Sequence, residues 1–278
     1  VDTRLTTSLC IIGAGRVGKT LAYLWRRTGL LQIADVLSRS EGTARQAVAF
    51  IGAGNPVHDF DAIGAASLFL LAVPDDQIAA CCARLAGSGR IDRNSIVFHC
   101  SGALGSDQLH AASALGAGVA SLHPVRSFAD PERVCATFAG TFFGVEGDTG
   151  ALATLLPLLE AIGARPLPIP LASKSLYHAA AVFASNYLVS TLAVAQQAYA
   201  AAGIPPDIAM QLIAPLARES VDNAVRLGPA AALTGPIARG DMATVARQQQ
   251  AVAHWDAAYG KLYEQLAAAT VRLAGSRE

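Results

Sequence analysis

The sequence predicts an α/β fold, a doubly wound parallel sheet, followed by an all-α C-terminal domain. Three observations carry this expectation. Short apolar runs alternate with helical stretches through the first 170 residues, the first run leads straight into a glycine-rich turn, and beyond Pro166, Pro168 and Pro170 no strand-like run remains. Ser8 to Ile12, Ile33 to Ser38, Ser67 to Val73, Ser95 to Cys100 and Gly118 to Leu122 read as buried parallel strands. They are separated by Arg16 to Thr28, Glu41 to Phe50, Asp75 to Ala86 and Ser106 to Ala114, which read as helices. Thr141 to Glu146 and Ala164 to Ile169 flank a helix over Gly150 to Ile162 and can extend the sheet. Three prolines in five residues cannot all occupy a central strand, so the domain boundary is placed near 170: 1–170 as the α/β domain and 171–278 as the helical one. In the second half a long helix over Ser173 to Ala202 stops at Gly203 with Pro205-Pro206 behind it. Further helices are expected over Asp207 to Leu227, Met242 to Arg247 and on to Ala274.

Composition narrows the function. Of 278 residues, 53% are hydrophobic and 15% charged, with 21 basic against 21 acidic side chains. That apolar excess excludes disorder, and the zero net charge argues against nucleic acid or anionic lipid as a partner of the whole molecule. Five cysteines without Cys-x-x-Cys spacing suggest reduced, structural thiols and no metal site. The first apolar run is too short for a secretory leader, so a cytoplasmic location is expected. Leu176 to Ala195 has the length of a membrane span, but His178, Ser185, Asn186, Ser190 and Thr191 interrupt it, and a buried helix of the second domain is the expected explanation.

Gly13-Ala14-Gly15-Arg16-Val17-Gly18 follows the first strand and opens the first helix, the context in which Gly-x-Gly-x-x-Gly signifies dinucleotide binding. Gly13 permits the tight turn, Gly15 lets a pyrophosphate approach the backbone, and Gly18 lets the helix pack on the strand. The second strand ends on Ser38, followed by Arg39 and Ser40. Asp35 lies 22 residues after Gly13 but inside the strand rather than at its tip, so it is rejected as a ribose-binding acid. Two hydroxyls and a guanidinium suit a 2′-phosphate, and NADP(H) is therefore expected over NAD(H).

Further strand ends supply Ala72-Val73-Pro74-Asp75-Asp76-Gln77, His99-Cys100-Ser101-Gly102-Ala103-Leu104-Gly105 and the His123-Pro124 pair. With Tyr177-His178-Ala179-Ala180 and Leu233-Thr234-Gly235-Pro236-Ile237-Ala238-Arg239-Gly240-Asp241, these motifs span nearly the whole chain. In them the sequence resembles the 6-phosphogluconate-dehydrogenase-like superfamily, in which a Rossmann domain precedes a helical domain that supplies catalytic residues. More narrowly it looks like the branch that pairs a Rossmann-like domain with a helical domain of unknown function, related to ketopantoate reductase. The resemblance implies cofactor contacts from Gly13 to Gly18, Ser38 to Ser40, Ala72, Val73, Pro74, Gln77 and Ser101. It also implies a homodimer formed through the helical domain.

Ketopantoate reductases carry Lys-x-x-x-Asn-x-x-x-Asn on the first helix of the second domain. One register places His178 at the lysine, Val182 at the first asparagine and Asn186 at the second; in another, Lys174 is the lysine equivalent. On a continuous helix His178, Ser185 and Asn186 share a face. His178 is the expected proton donor because an unperturbed imidazole titrates near neutrality. Lys174, Asn186 and His123 complete the candidate catalytic set, and Ser101, Gly102, Ser185, Thr234 and Arg239 are the candidate substrate contacts. The loop at Thr234 to Asp241 should also end in a helix cap at Asp241. The expected activity is NADPH-dependent reduction of a small 2-oxo acid. An imine reductase of the pyrroline-carboxylate-reductase type and a non-catalytic NADP-binding sensor remain as alternatives, with a deazaflavin in place of the nicotinamide a minor one.

Overall fold

The structure is a computed structural model and describes residues 7–276. Its elements in chain order begin with β1 (Thr7–Ile12), α1 (Arg16–Thr28), β2 (Leu31–Leu37), α2 (Glu41–Ile51), β3 (Asn55–Val57), β4 (Leu68–Leu71), α3 (Ile78–Gly87) and β5 (Ile96–His99). They continue through α4 (His110–Ser113), β6 (Gly118–Pro124), α5 (Pro131–Ala136), β7 (Phe142–Gly147), α6 (Thr149–Ala161) and β8 (Arg165–Pro168). All eight strands form one sheet in the order β3-β2-β1-β4-β5-β6-β7-β8. The chain winds outward from β1 in one direction and then returns to start again at β4. The β1/β4 boundary is thus the switch point at whose carboxyl end a ligand crevice opens.

Central strands are apolar without alternation because both faces are covered. In β1, Leu9 and Ile11 pack into one apolar cluster with Trp25 and Phe98, while Cys10 and Ile12 pack into the other with Phe69 and Leu85. Cys10 and Cys82 are buried free thiols acting as small hydrophobes, and burial pushes both up from the ordinary thiol value. Trp25 donates its indole N–H to the Leu158 carbonyl at 2.9 Å, tying α1 to α6 across the sheet's cover.

Two features of the sheet go beyond the sequence expectation, and a third agrees with it. β3 is a three-residue edge strand, Asn55-Pro56-Val57, too short and too proline-marked to stand out as apolar. β7 runs antiparallel to β6, with His123 opposite Gly144, so the sheet is mixed at this end. β8 holds Pro166 and Pro168 because it is the outer strand, where missing N–H groups face no neighbour.

The remaining helices are α7 (Lys174–Ala184), α8 (Asn186–Ala201), α9 (Pro206–Leu227), α10 (Pro229–Ala232), α11 (Met242–Trp255) and α12 (Ala257–Gly275). By internal contacts the chain divides into two compact units between Val182 and Phe183. Two corrections follow. The long helix is broken at Ser185, whose φ of −126° and ψ of −72° are not helical, so the continuous register that aligned His178 with Ser185 and Asn186 does not hold. Nor is this stretch buried. Leu171–Ala201 is the one span among the described residues long and apolar enough to cross a membrane, and none of its most apolar window is buried. Asp241 does cap α11, its carboxylate accepting the Thr244 N–H at 3.0 Å.

Candidate functional site

The glycine turn is built as its spacing requires. Gly13 sits at φ 103° and donates its N–H to the Leu37 carbonyl at 2.9 Å; a Cβ there would run into the Ala72 backbone. A Cβ on Gly18 would strike the Gly13 carbonyl and lie 2.9 Å from the Ala72 methyl, so α1 packs against β1 and β4 only with glycine at this position. Gly15 differs: it is the N-cap of α1, and a Cβ there would meet nothing within 4 Å. The first N–H of α1 bonded back to the turn is that of Lys19, which reaches the Gly15 carbonyl at 3.1 Å. The N–H groups of Arg16, Val17 and Gly18 precede it, in a first turn without an acidic residue. An open, positively polarised terminus of this kind fits a pyrophosphate.

At the tip of β2, Arg39 is exposed, Ser38 donates its N–H to the Val57 carbonyl, and the Ser40 hydroxyl caps α2 by accepting the Thr43 N–H at 3.3 Å. Asp35 is buried and committed elsewhere, accepting from the Gly64 N–H at 2.7 Å and from the Asn55 amide at 3.2 Å. Its carboxylate is thus a structural clasp on β3 and the following loop.

Beyond Ala72 and Val73, Pro74 opens a single 3-10 turn through Asp75 to Gln77, and Gln77 is exposed with its amide on Asp76. Asp75 accepts the Ser101 hydroxyl at 2.8 Å, which joins the end of β4 to the end of β5. The same Ser101 oxygen accepts the Ala103 and Leu104 N–H groups at 3.2 and 2.9 Å and so shapes the loop after β5. His99 clasps that loop from within: its Nδ1 accepts the Ser101 N–H at 3.1 Å, which leaves the proton on Nε2 to donate to the Gly105 carbonyl at 2.9 Å. Burial holds its pKa below the ordinary imidazole value.

Lys174, the first residue of α7, is 2% exposed. Its ammonium donates to the Ser121 hydroxyl at 2.6 Å and the Ser101 carbonyl at 3.3 Å, and pairs with the Glu146 carboxylate, whose Oε1 lies 3.7 Å away. Glu146 in turn accepts the Ser106 N–H at 2.8 Å and the Ser106 hydroxyl at 2.7 Å. Burial lowers the Lys174 pKa, opposed by the Glu146 charge. The ammonium therefore braces β6, β7 and the loop after β5 from inside the fold; it is not a free group at a surface.

One helical turn on, Tyr177 and His178 meet His123 at the end of β6. The Tyr177 hydroxyl lies 3.0 Å from His123 Nδ1, with the two rings edge to face at 5.5 Å; His178 stands edge to face on His123 at 5.2 Å. Gly102 makes this possible, since a Cβ there would collide with His178 Nδ1 and come within 2.7 Å of His123 Nε2. His178 Nδ1 is buried and has no hydrogen-bond partner among the described residues, which leaves a buried donor or acceptor that a ligand could engage. Burial, then the neighbouring His178 and Lys174, push the His123 pKa down to about 4. His123 is therefore neutral at physiological pH.

The fold thus gathers Gly13, Gly15, Gly18, Ala72, Val73, Ser101, Gly102, His123, Lys174 and His178 within one unit, along the carboxyl ends of β1, β4, β5 and β6. Ser185, Asn186, Thr234 and Arg239 belong to the other unit, where all four are exposed and Arg239 ends a short 3-10 turn. Sequence reasoning assigned no role to Tyr177, Ser121, Glu146 or His99, although Tyr177 and His99 stand in the motifs it quoted. Tyr177 had a signal in its adjacency to His178; Ser121 and Glu146 act through contacts 53 and 40 residues away in sequence, and His99 through the fold of the loop that follows it.

Residues 2–124 match the family model described as a Rossmann-like domain, and residues 141–270 match that of a domain of unknown function, DUF2520. No curated protein matches the chain. Among solved structures, a protein of Bacteroides fragilis provisionally named an NADP oxidoreductase is 24% identical and superposes with a TM-score of 0.80, covering 96% of this chain and 98% of that one. A Thermotoga maritima protein is 26% identical with a TM-score of 0.73, at the same coverage. Pyrroline carboxylate reductase of Plasmodium falciparum, with NADP bound, shares 11% identity and a TM-score of 0.58, covering 96% and 98%.

Proposed function

We propose that this protein is an NADP(H)-dependent oxidoreductase that reduces a small carbonyl compound of the 2-oxo acid class. One observation carries the reading. The open helix terminus at Gly15 and the histidine pair at His123 and His178 lie on the same row of strand ends, three strand positions apart. At about 4.8 Å per strand this is roughly 14 Å, a span that the ribose and nicotinamide ring of a dinucleotide seated on the helix terminus, with a small substrate beyond the ring, can bridge. Provisional naming of the Bacteroides fragilis structure and the NADP in the Plasmodium falciparum reductase agree with this cofactor.

NADPH supplies the hydride when bound. The chain's own part is to hold the phosphates on the N–H groups of Arg16 to Gly18, to grip a 2′-phosphate with Ser38, Arg39 and Ser40, and to keep the loop at Ala72 to Gln77 and Ser101 beside the ribose and ring. His178 Nδ1, buried and unpartnered, and His123 then face the oxygen or nitrogen that gains charge and takes up a proton. Lys174 is proposed to act from behind, as a brace.

The test is a titration and a substrate panel. Wild-type protein should bind NADPH at least tenfold more tightly than NADH, and Arg39→Asp should erase that preference. NADPH should be oxidised by a 2-oxo acid; oxidation only by a cyclic imine would favour the imine-reductase alternative, and no oxidation by either would sink the catalytic reading. Leu176, Phe183, Val189, Leu216 and Val225 are between 61% and 83% exposed. A second copy of the chain is proposed to cover these helices. Light scattering should report twice the chain mass, and a monomer at micromolar concentration would refute this.

A further inference from the structure

His123 has two ring nitrogens, and its usefulness depends on which one carries the proton. The Tyr177 hydroxyl lies 3.0 Å from Nδ1, and its place is prepared in the sheet. Gly144 stands opposite His123 in the β6/β7 register, and any side chain there would collide with the Tyr177 hydroxyl. The missing side chain of β7 is thus the slot that Tyr177 enters from α7. Between a phenol and a neutral imidazole, the phenol is the stronger acid and the imidazole nitrogen the stronger base. The O–H therefore donates to Nδ1, and the ring's own proton resides on Nε2. Nε2 is the nitrogen on the Gly102 side, where His178 Nδ1 also approaches.

We infer that Tyr177 is a positioning residue: it fixes His123 in the Nε2–H tautomer, so that a neutral N–H is presented beside His178 to the substrate atom on which charge develops. The inference rests on the reductase reading for what that N–H serves, but not for the tautomer itself. Burial with Lys174 and His178 nearby keeps an imidazolium from forming at His123, so the group acts as a hydrogen-bond donor and not as a charged acid. His123 and Tyr177 would divide the work as an electrophile and the group that aims it.

The test is nitrogen-15 NMR of histidine-labelled full-length protein at neutral pH, without substrate, on wild type and Tyr177→Phe. In wild type, His123 Nδ1 should resonate as an unprotonated acceptor nitrogen and Nε2 as a protonated one. In Tyr177→Phe the Nδ1 resonance should lose the shift of a hydrogen-bonded acceptor and move toward a tautomer average. The variant's kcat should fall about tenfold, a part of the roughly 10²- to 10³-fold that a positioned hydrogen-bond donor to developing charge supplies, with NADPH affinity unchanged. A protonated Nδ1 in wild type overturns the inference, as does a variant whose His123 resonances superimpose on those of wild type. The wild-type spectrum is decisive even if the variant folds poorly. Because these shifts are read without substrate, absence of turnover overturns the reductase reading alone, and a protonated Nδ1 in an active enzyme overturns this inference alone.

Discussion

Lys174→Met is expected to destabilise the protein by about 3 kcal/mol or more and to lower its melting temperature by roughly 10 °C. The ammonium is 2% exposed, and the Glu146 side chain that faces it at 3.7 Å is 11% exposed. Removing the cation leaves a carboxylate in the interior with only the two Ser106 donors to hold it, and leaves the Ser121 hydroxyl and Ser101 carbonyl without the donor they now share. Breaking one partner of a buried pair costs more than the pair contributes, because the survivor stays desolvated. The double variant Lys174→Met with Glu146→Gln should recover part of the loss, as it removes the orphaned charge. Urea denaturation of the three variants checks this. Were Lys174 a proton donor at an open surface, the single variant would lose turnover while keeping wild-type stability, and that result would sink the role of brace.

Why this role escapes a reading of the sequence is instructive. A lysine at the start of an apolar helix looks like a functional cation because nothing near it in sequence explains it. Its partners are Ser101, Ser121 and Glu146, residues on a loop and two strands that only the tertiary fold brings beneath it. The central strands were legible for the opposite reason. Ser8 to Ile12 and Ser67 to Val73 are apolar without alternation, and burial on both faces of a parallel sheet demands that pattern. β3 was not legible, since a three-residue edge strand needs only backbone pairing and no apolar run. The stretch from Leu176 to Ala195 was misread as core because hydropathy reports what a surface avoids and not what covers it. The break at Ser185 leaves no compositional mark either, since neither glycine nor proline stands there.

Gly15→Val should abolish dinucleotide binding and leave the fold intact. Gly13 and Gly18 cannot make this test, because a side chain at either collides with backbone of the protein itself, and a loss of binding would be indistinguishable from a damaged sheet. Gly15 has φ −71° and ψ −174°, an extended conformation any residue adopts, and a Cβ there meets nothing within 4 Å. Its absent side chain therefore serves no packing purpose in the protein alone. If the space belongs to a pyrophosphate seated on the first turn of α1, the branched side chain takes that volume and screens the N–H groups of Arg16 to Gly18. NADPH affinity should then fall at least a hundredfold, about 2.7 kcal/mol, with the melting temperature of the ligand-free protein within roughly 2 °C of wild type. Calorimetric titration and thermal denaturation of the same preparation read both quantities. An unchanged affinity would mean that the glycine turn packs the sheet and nothing more, which would return the protein to the class of dinucleotide-like folds without a dinucleotide.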